Sequence, residues 1–149
     1  MDYDRIYDFL IELDKLKSVY RMSYLSDTSR HENSAEHSWH LATAILMLQD
    51  EIPDEVDLLK TIKLALAHDV CEIGAGDISV YDTGRGQIQA AEKEYLTRLT
   101  GKFPGSFTRE LLALWEEYEE QNSPESRWVK VFDRLLPFCM NLMTEGRSW

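Results

Sequence analysis

Every long apolar pattern in this chain repeats at about 3.6 residues, and none alternates for more than a few positions. That periodicity suits helices packed on helices and excludes a sheet-based core. A first helix follows Asp4, with Ile6, Phe9, Leu10, Leu13 and Leu16 as its stripe. Residues 18–32 show no period and read as a loop. Asn33 then caps a second helix, running to about Asp50, and Glu36 three residues on can complete a capping box. Leu41, Ile45 and Leu48 form its apolar side. Pro53-Asp54 opens a third helix, carrying Val56, Leu59, Ile62 and Leu66 and ending near Asp69.

Gly74, Gly76 and the stretch from Tyr81 to Gly86 read as a broken, loop-rich region with one short helical turn. A further helix spans about Gln87 to Leu99 and stops at Thr100-Gly101. Phe107, Leu111, Leu114, Trp115 and Tyr118 mark the next. Ser123 as N-cap and Pro124 as first residue start the last, in which Pro137 predicts a kink. No repeat, low-complexity tract or linker interrupts the pattern. At 149 residues the expectation is one all-α domain over 1–149, a bundle of about six to seven helices.

Composition narrows the function. The formal net charge of -11 argues against a nucleic-acid polymer as partner, because phosphate backbones are bound by basic faces. A small anion would need local positive charge instead. No apolar run approaches the length of a membrane span. The acidic N-terminus lacks signal-peptide character, so the expected location is the cytoplasm. Cys71 and Cys139 have no CxxC partner and are expected to be reduced, buried thiols.

The chemistry concentrates at His68-Asp69, which ends the apolar run Leu64-Ala65-Leu66-Ala67. His37 lies upstream, in the first turn of the second helix, and Asp133 downstream, in the last helix beside Val129, Phe132, Leu136 and Met140. Two imidazoles and two carboxylates brought from three helices suit one divalent transition metal. They do not suit a thiolate-held structural zinc or an all-oxygen calcium cage. Adjacent helical residues point about 100° apart, so His68 and Asp69 can share an ion only from a helix end or a distorted turn. Each residue also has a plainer role open to it. His37 can be a core histidine, Asp69 a solvated residue at a helix end, and Asp133 a partner of Lys130 or Arg134.

Glu72, one turn beyond His68, should face the same way, with Asp77 following shortly. The ordered pattern His37, His68-Asp69, Asp133 resembles the HD-domain phosphohydrolases. The longer strings Arg30-His31-Glu32-Asn33-Ser34-Ala35-Glu36-His37-Ser38 and His68-Asp69-x-x-Glu72-x-x-x-x-Asp77 resemble the 5′-deoxynucleotidase branch, which cleaves nucleoside 5′-monophosphates to nucleoside and phosphate. The likeness runs from Arg21 to Asp133. It implies one metal ion (cobalt, manganese, iron, zinc or nickel) on His37, His68, Asp69 and Asp133. It makes Glu72 the catalytic carboxylate near the activated water and the scissile phosphate, and Asp77 a group that places the sugar or leaving oxygen. Arg21 matches a phosphate-contacting arginine. It also implies a homodimer, for which Trp39, Trp115, Trp128 and Trp149 are candidate contacts.

Two features depart from the branch. Met22 stands after Arg21 where a bulky aromatic crowds the ribose 2′-hydroxyl, so ribonucleotides need not be excluded. The sequence also stops at Trp149, where relatives continue. For Arg21 the other reading is a solvated surface charge, and for Glu72 and Asp77 it is helix-end solvation and turn capping. Arg30 is expected to pair with Glu32 or Glu36, and His31 and His40 to lie outside the ligand set. Two further functions fit the same pattern. One is hydrolysis of a cyclic, tri- or tetraphosphorylated nucleotide; the other is a non-catalytic module that binds metal or nucleotide.

Overall fold

The structure, a computed structural model, describes residues 2–77, 85–103 and 105–148, without the side chains of Arg85 and Phe107. Helices dominate it: α1 (Tyr3–Asp14), α2 (Ser34–Met47), α3 (Leu58–Ala67), α4 (Glu72–Ala75), α5 (Arg85–Lys102), α6 (Ser106–Glu120) and α7 (Pro124–Met143). The all-α expectation holds. One addition to it is a two-stranded antiparallel ribbon, β1 (Tyr20–Tyr24) with β2 (His31–Asn33).

The helix starts follow from capping chemistry. The Asn33 side chain accepts the Glu36 N–H at 2.9 Å, and the Glu36 carboxylate accepts the Asn33 N–H at 3.2 Å. Two of the donors that a helix N-terminus leaves unpaired are thereby satisfied. Arg30 braces the box, donating to both Glu36 oxygens at 2.8 and 2.6 Å. Ser123 caps α7 in the same manner, with Pro124 first in the helix.

Several boundaries differ from the sequence expectation. The third helix starts at Leu58, because Asp57 rather than Pro53 provides the cap, its carboxylate accepting the Lys60 N–H at 3.0 Å. Its buried side is Thr61, Leu64 and Ala65, while Leu59 and Leu66 are exposed. Leu48 is exposed too, and Cys139 is half-buried whereas Cys71 is buried. The α5 helix begins at Arg85, not Gln87, and runs through Thr100-Gly101 to Lys102. There the Thr100 hydroxyl bonds back to the Leu96 carbonyl at 3.0 Å instead of ending the helix. Residues Tyr81 to Gly84 of the expected loop lie outside the described residues.

The stretch 18–32 is the main correction. Tyr20 pairs with Asn33 and Tyr24 with His31, closed by a turn with Thr28 at φ 62°. Strands of five and three residues are too short for alternation to register. The pleat nonetheless sorts their side chains: Tyr20 and Met22 face outward, while the Arg21 side chain is only 13% exposed.

Two apolar clusters hold the bundle. One joins Leu16, Ala67, Val70, Leu96, Leu99 and Trp115; the other joins Leu41, Ile45, Leu64, Val129 and Phe132. Each fully buried Leu or Ile contributes about 1.5–3 kcal/mol. Leu64 and Ala65 of α3 belong to the second cluster, while Ala67 and Val70 belong to the first, so His68-Asp69 falls beside their junction.

Gly74 makes the closest approach in this region. A Cβ built there would sit 2.4 Å from Tyr95 Cδ2. A Gly74→Ala substitution is expected to cost about 1–3 kcal/mol by overpacking, lowering Tm by roughly 2–12 °C. A calorimetric Tm equal to that of the parent would show that α4 and α5 are not locked together at this point.

Candidate metal centre

The α-helical ladder stops at the sequence pair. His68 N–H still bonds to the Leu64 carbonyl at 3.0 Å, after which Val70 N–H bonds to Ala67 and Glu72 N–H to Asp69, closing shorter i+3 turns. Both side chains therefore leave the chain at a helix end, as their sharing of one site requires.

His68 Nδ1 lies 2.9 Å from the Ala65 carbonyl, to which it donates, so the neutral ring presents a lone pair at Nε2. That lone pair faces Asp69 Oδ1 at 3.0 Å and Asp133 Oδ1 at 3.6 Å, yet Nε2 is buried without an aligned hydrogen-bond partner among the described residues. His37 Nε2, from α2, lies 3.0 Å from the same Asp133 oxygen and 4.0 Å from Asp69 Oδ2. Donor atoms of His37, His68 and Asp69 all lie within 4.8 Å of one another. Lone pairs converging on carboxylate oxygens repel unless a proton or a cation lies between them. The residues therefore fit a divalent metal, and all four residues named from the sequence come together.

The protonation states express the same strain. Burial pulls His68 down, but the charges of Asp69 and Asp133 outweigh it and push it up to about 10. Burial also opposes ionisation of Asp69, yet the charges of His68 and Arg21 hold it at about 2. Asp133 is held well below the carboxylate range by its two histidines, against burial.

Around this donor set stand the other expected residues. Arg21 Nη1 donates to Asp69 Oδ2 at 2.8 Å and lies 3.8 Å from Glu72 Oε1 and 3.9 Å from Asp77 Oδ1. It is no solvated surface charge. Glu72 is buried, accepts from the Ser34 hydroxyl, and is pushed up to about 9 by burial and by Asp69, against the pull of Arg21. Burial raises Asp77 as well. His31 stays with the ribbon, its Nδ1 3.1 Å from the Met22 carbonyl, and His40 packs beside Trp39. Trp39 is exposed, Trp115 buried and Trp128 partly buried; Trp149 lies outside the described residues.

Sequence reasoning missed three members of the site and named a fourth, Lys130, only as a partner for Asp133. Glu32 Oε2 lies 3.6 Å from His37 Nδ1 and 3.8 Å from Arg21 Nε, bridging ribbon and helix. Ser34 holds Glu72. Tyr118 and Lys130 reach Asp133 from α6 and α7. Polar partners of this kind carry no periodic signal, and Tyr118 reads simply as part of an apolar stripe. The one available hint was Lys130, three residues before Asp133 on one helix face.

Glu92 on α5 is half-buried and pushed up to about 7, by burial first and then by Glu119 and Asp69, while bonding to Trp115 pulls it down. Between its ordinary value near 4.5 and about 7 the folded chain holds a proton that the unfolded chain has released. Glu92 therefore removes stability as pH rises across that window. Glu92→Gln should raise Tm by about 1–3 °C at pH 8 and leave it unchanged at pH 4. A Tm difference that does not change between the two pH values would place the effect elsewhere.

Imidazole and carboxylate donors gathered by separate helices at a helix end, beside a buried arginine and two carboxyls of raised pKa, define an all-helical domain built to take a divalent cation. The HD domain pattern matches residues 13–149, and the chain belongs to that family. It is 31% identical over 134 residues to the 5′-deoxynucleotidase HDDC2 of Danio rerio, covering 89% of this chain and 66% of that protein. It is 33% identical over 128 residues to the one of Bos taurus, covering 85% and 61%. The chain thus spans just under two-thirds of the length of these curated relatives. Among solved structures it resembles a predicted metal-dependent phosphohydrolase from Magnetospirillum magnetotacticum MS-1. That match has a TM-score of 0.91 and 37% identity over 99% of this chain and 74% of that one. A conserved hypothetical protein from Pyrococcus furiosus matches at TM-score 0.69 and 27% identity, covering 87% of this chain and 73% of that one.

Proposed function

We propose that this chain hydrolyses nucleoside 5′-monophosphates, the deoxy forms foremost, to nucleoside and phosphate. It would use one divalent transition ion held by His37, His68, Asp69 and Asp133. The observation that carries the reading is the buried, unpartnered Nε2 of His68 facing two carboxylate oxygens, with Glu72 in the next turn of the chain. Held by these residues, a divalent ion would supply Lewis acidity to activate water and positive charge to offset the phosphate. Cobalt, manganese, iron, zinc and nickel all accept such donors.

The chain's own residues take the remaining roles. Arg21 lies among Asp69, Glu72 and Asp77, and its guanidinium can grip phosphate oxygens. Glu72 moves a proton between the attacking water and the departing 5′-oxygen, as the new P–O bond forms and the ester bond breaks. Asp77 accepts a hydrogen bond from the sugar. Met22 stands after Arg21 in place of a bulky aromatic and faces outward, so the preference for deoxyribose over ribose is expected to be weak.

Two supporting statements belong to the same reading. The protein assembles as a homodimer, for which the exposed Tyr7 and Leu10 of α1 and Leu135 and Leu142 of α7 offer apolar contact area. No described helix is long and apolar enough to cross a membrane. The two free cysteines suit the cytoplasm.

The test is phosphate release from the eight common ribo- and deoxyribonucleoside 5′-monophosphates, with chelator and with each added metal. Chelator-sensitive release is expected. Release only from cyclic, tri- or tetraphosphorylated nucleotides, or binding without turnover under every metal, would replace the reading.

A further inference from the structure

Asp133 differs from the other acidic donor in how its second oxygen is occupied. Oδ1 faces the two imidazoles, while Oδ2 accepts the Tyr118 hydroxyl at 2.6 Å. Tyr118 in turn receives Lys130 Nζ at 2.6 Å, and the same ammonium lies 3.5 Å from Oδ2 and 4.3 Å from the centre of the Tyr118 ring. The direction of this chain follows from the donor inventory. An ammonium can only donate, so the Tyr118 oxygen accepts from it, and its single hydrogen is left for Asp133. A hydroxyl free to rotate would have no such constraint.

A further observation makes Tyr118 more than a buried tyrosine. Its ring packs on that of His68 with centroids 4.9 Å apart, so one side chain touches donors from the end of α3 and from α7.

We infer that Tyr118, oriented by Lys130, is a positioning residue for the cation. It occupies Oδ2 of Asp133, presents Oδ1 alone to the site, and keeps this carboxylate a one-oxygen donor. The inference rests on the metal reading above, but on neither the substrate nor the reaction. Hydrogen bonds that orient ligands in this way are worth about 10–100-fold in metal affinity.

The test is equilibrium titration of the cation-free full chain with cobalt(II), followed through its visible d–d absorption. Tyr118→Phe should raise the cobalt Kd about 10–100-fold and change the shape of the spectrum, as Asp133 becomes free to offer both oxygens. Lys130→Met, which leaves the hydroxyl in place, should raise the Kd by a smaller factor. Circular dichroism of the cation-free variants should match the parent. Unchanged affinity and spectrum in Tyr118→Phe would overturn the inference, and so would a weakening that merely follows loss of helix. Failure of the parent itself to bind cobalt would instead remove the metal reading beneath it.

Discussion

A Glu72→Gln protein should keep its metal and lose phosphate release by about 10²–10⁴-fold, the range typical of a general acid–base group. Glutamine has nearly the same size and retains an oxygen to accept from Ser34, so packing around α4 is preserved. What it cannot do is gain or lose a proton. In the native chain that proton is held unusually firmly, since burial and Asp69 bring the carboxyl to about 9. The loss should appear in kcat with KM little changed, because Arg21 still reaches Asp69 and Asp77. A variant as active as its parent would take Glu72 out of the chemistry.

Replacement of Asp69 is the second large effect. Its two oxygens do different things: Oδ1 lies 3.0 Å from His68 Nε2, and Oδ2 anchors Arg21 at 2.8 Å. Asp69→Ala should therefore lose metal and activity together and leave a buried guanidinium short of its nearest partner. Breaking a buried pair on one side costs about 3–5 kcal/mol. Asp69→Asn separates the two roles, since its amide oxygen can still accept from Arg21 while its charge is gone. The asparagine variant should fold close to the parent and still bind metal weakly. Elemental analysis showing undiminished metal in both variants would place the ion elsewhere.

Much of this protein is legible without coordinates. Asn33 with Glu36, and Ser123 with Pro124, mark helix starts because capping depends on a few adjacent residues. The stripes of α6 and α7 are visible because one side of each faces the core over several turns. The errors have equally definite causes. Leu59 and Leu66 look like core residues because hydrophobicity alone does not say which side of a helix meets a neighbour; packing against α2 and α7 selects Leu64 and Ala65. The ribbon at 20–33 escapes notice because three to five residues cannot display a period. Missing it leaves open the reading of Arg21 as a surface charge, whereas strand pairing turns that side chain inward.

At the site, residue types and spacing pointed to His37, His68, Asp69 and Asp133, since donor chemistry and helix ends are local properties, and the family resemblance added Glu72 and Asp77. Glu32, Ser34 and Tyr118 could only be recognised once distant elements were in place.

The order of residues along the chain thus determined the helices, their caps and the chemical identity of the donor set, because these depend on neighbours within a turn or two. Tertiary structure alone decided that imidazoles and carboxylates separated by up to 96 positions lie about 3 Å apart. It also decided which carboxylate oxygen faces the histidines and which is taken by Tyr118. Those outcomes depend on how the two apolar clusters draw α2, α3, α6 and α7 together, and long-range packing leaves no local trace.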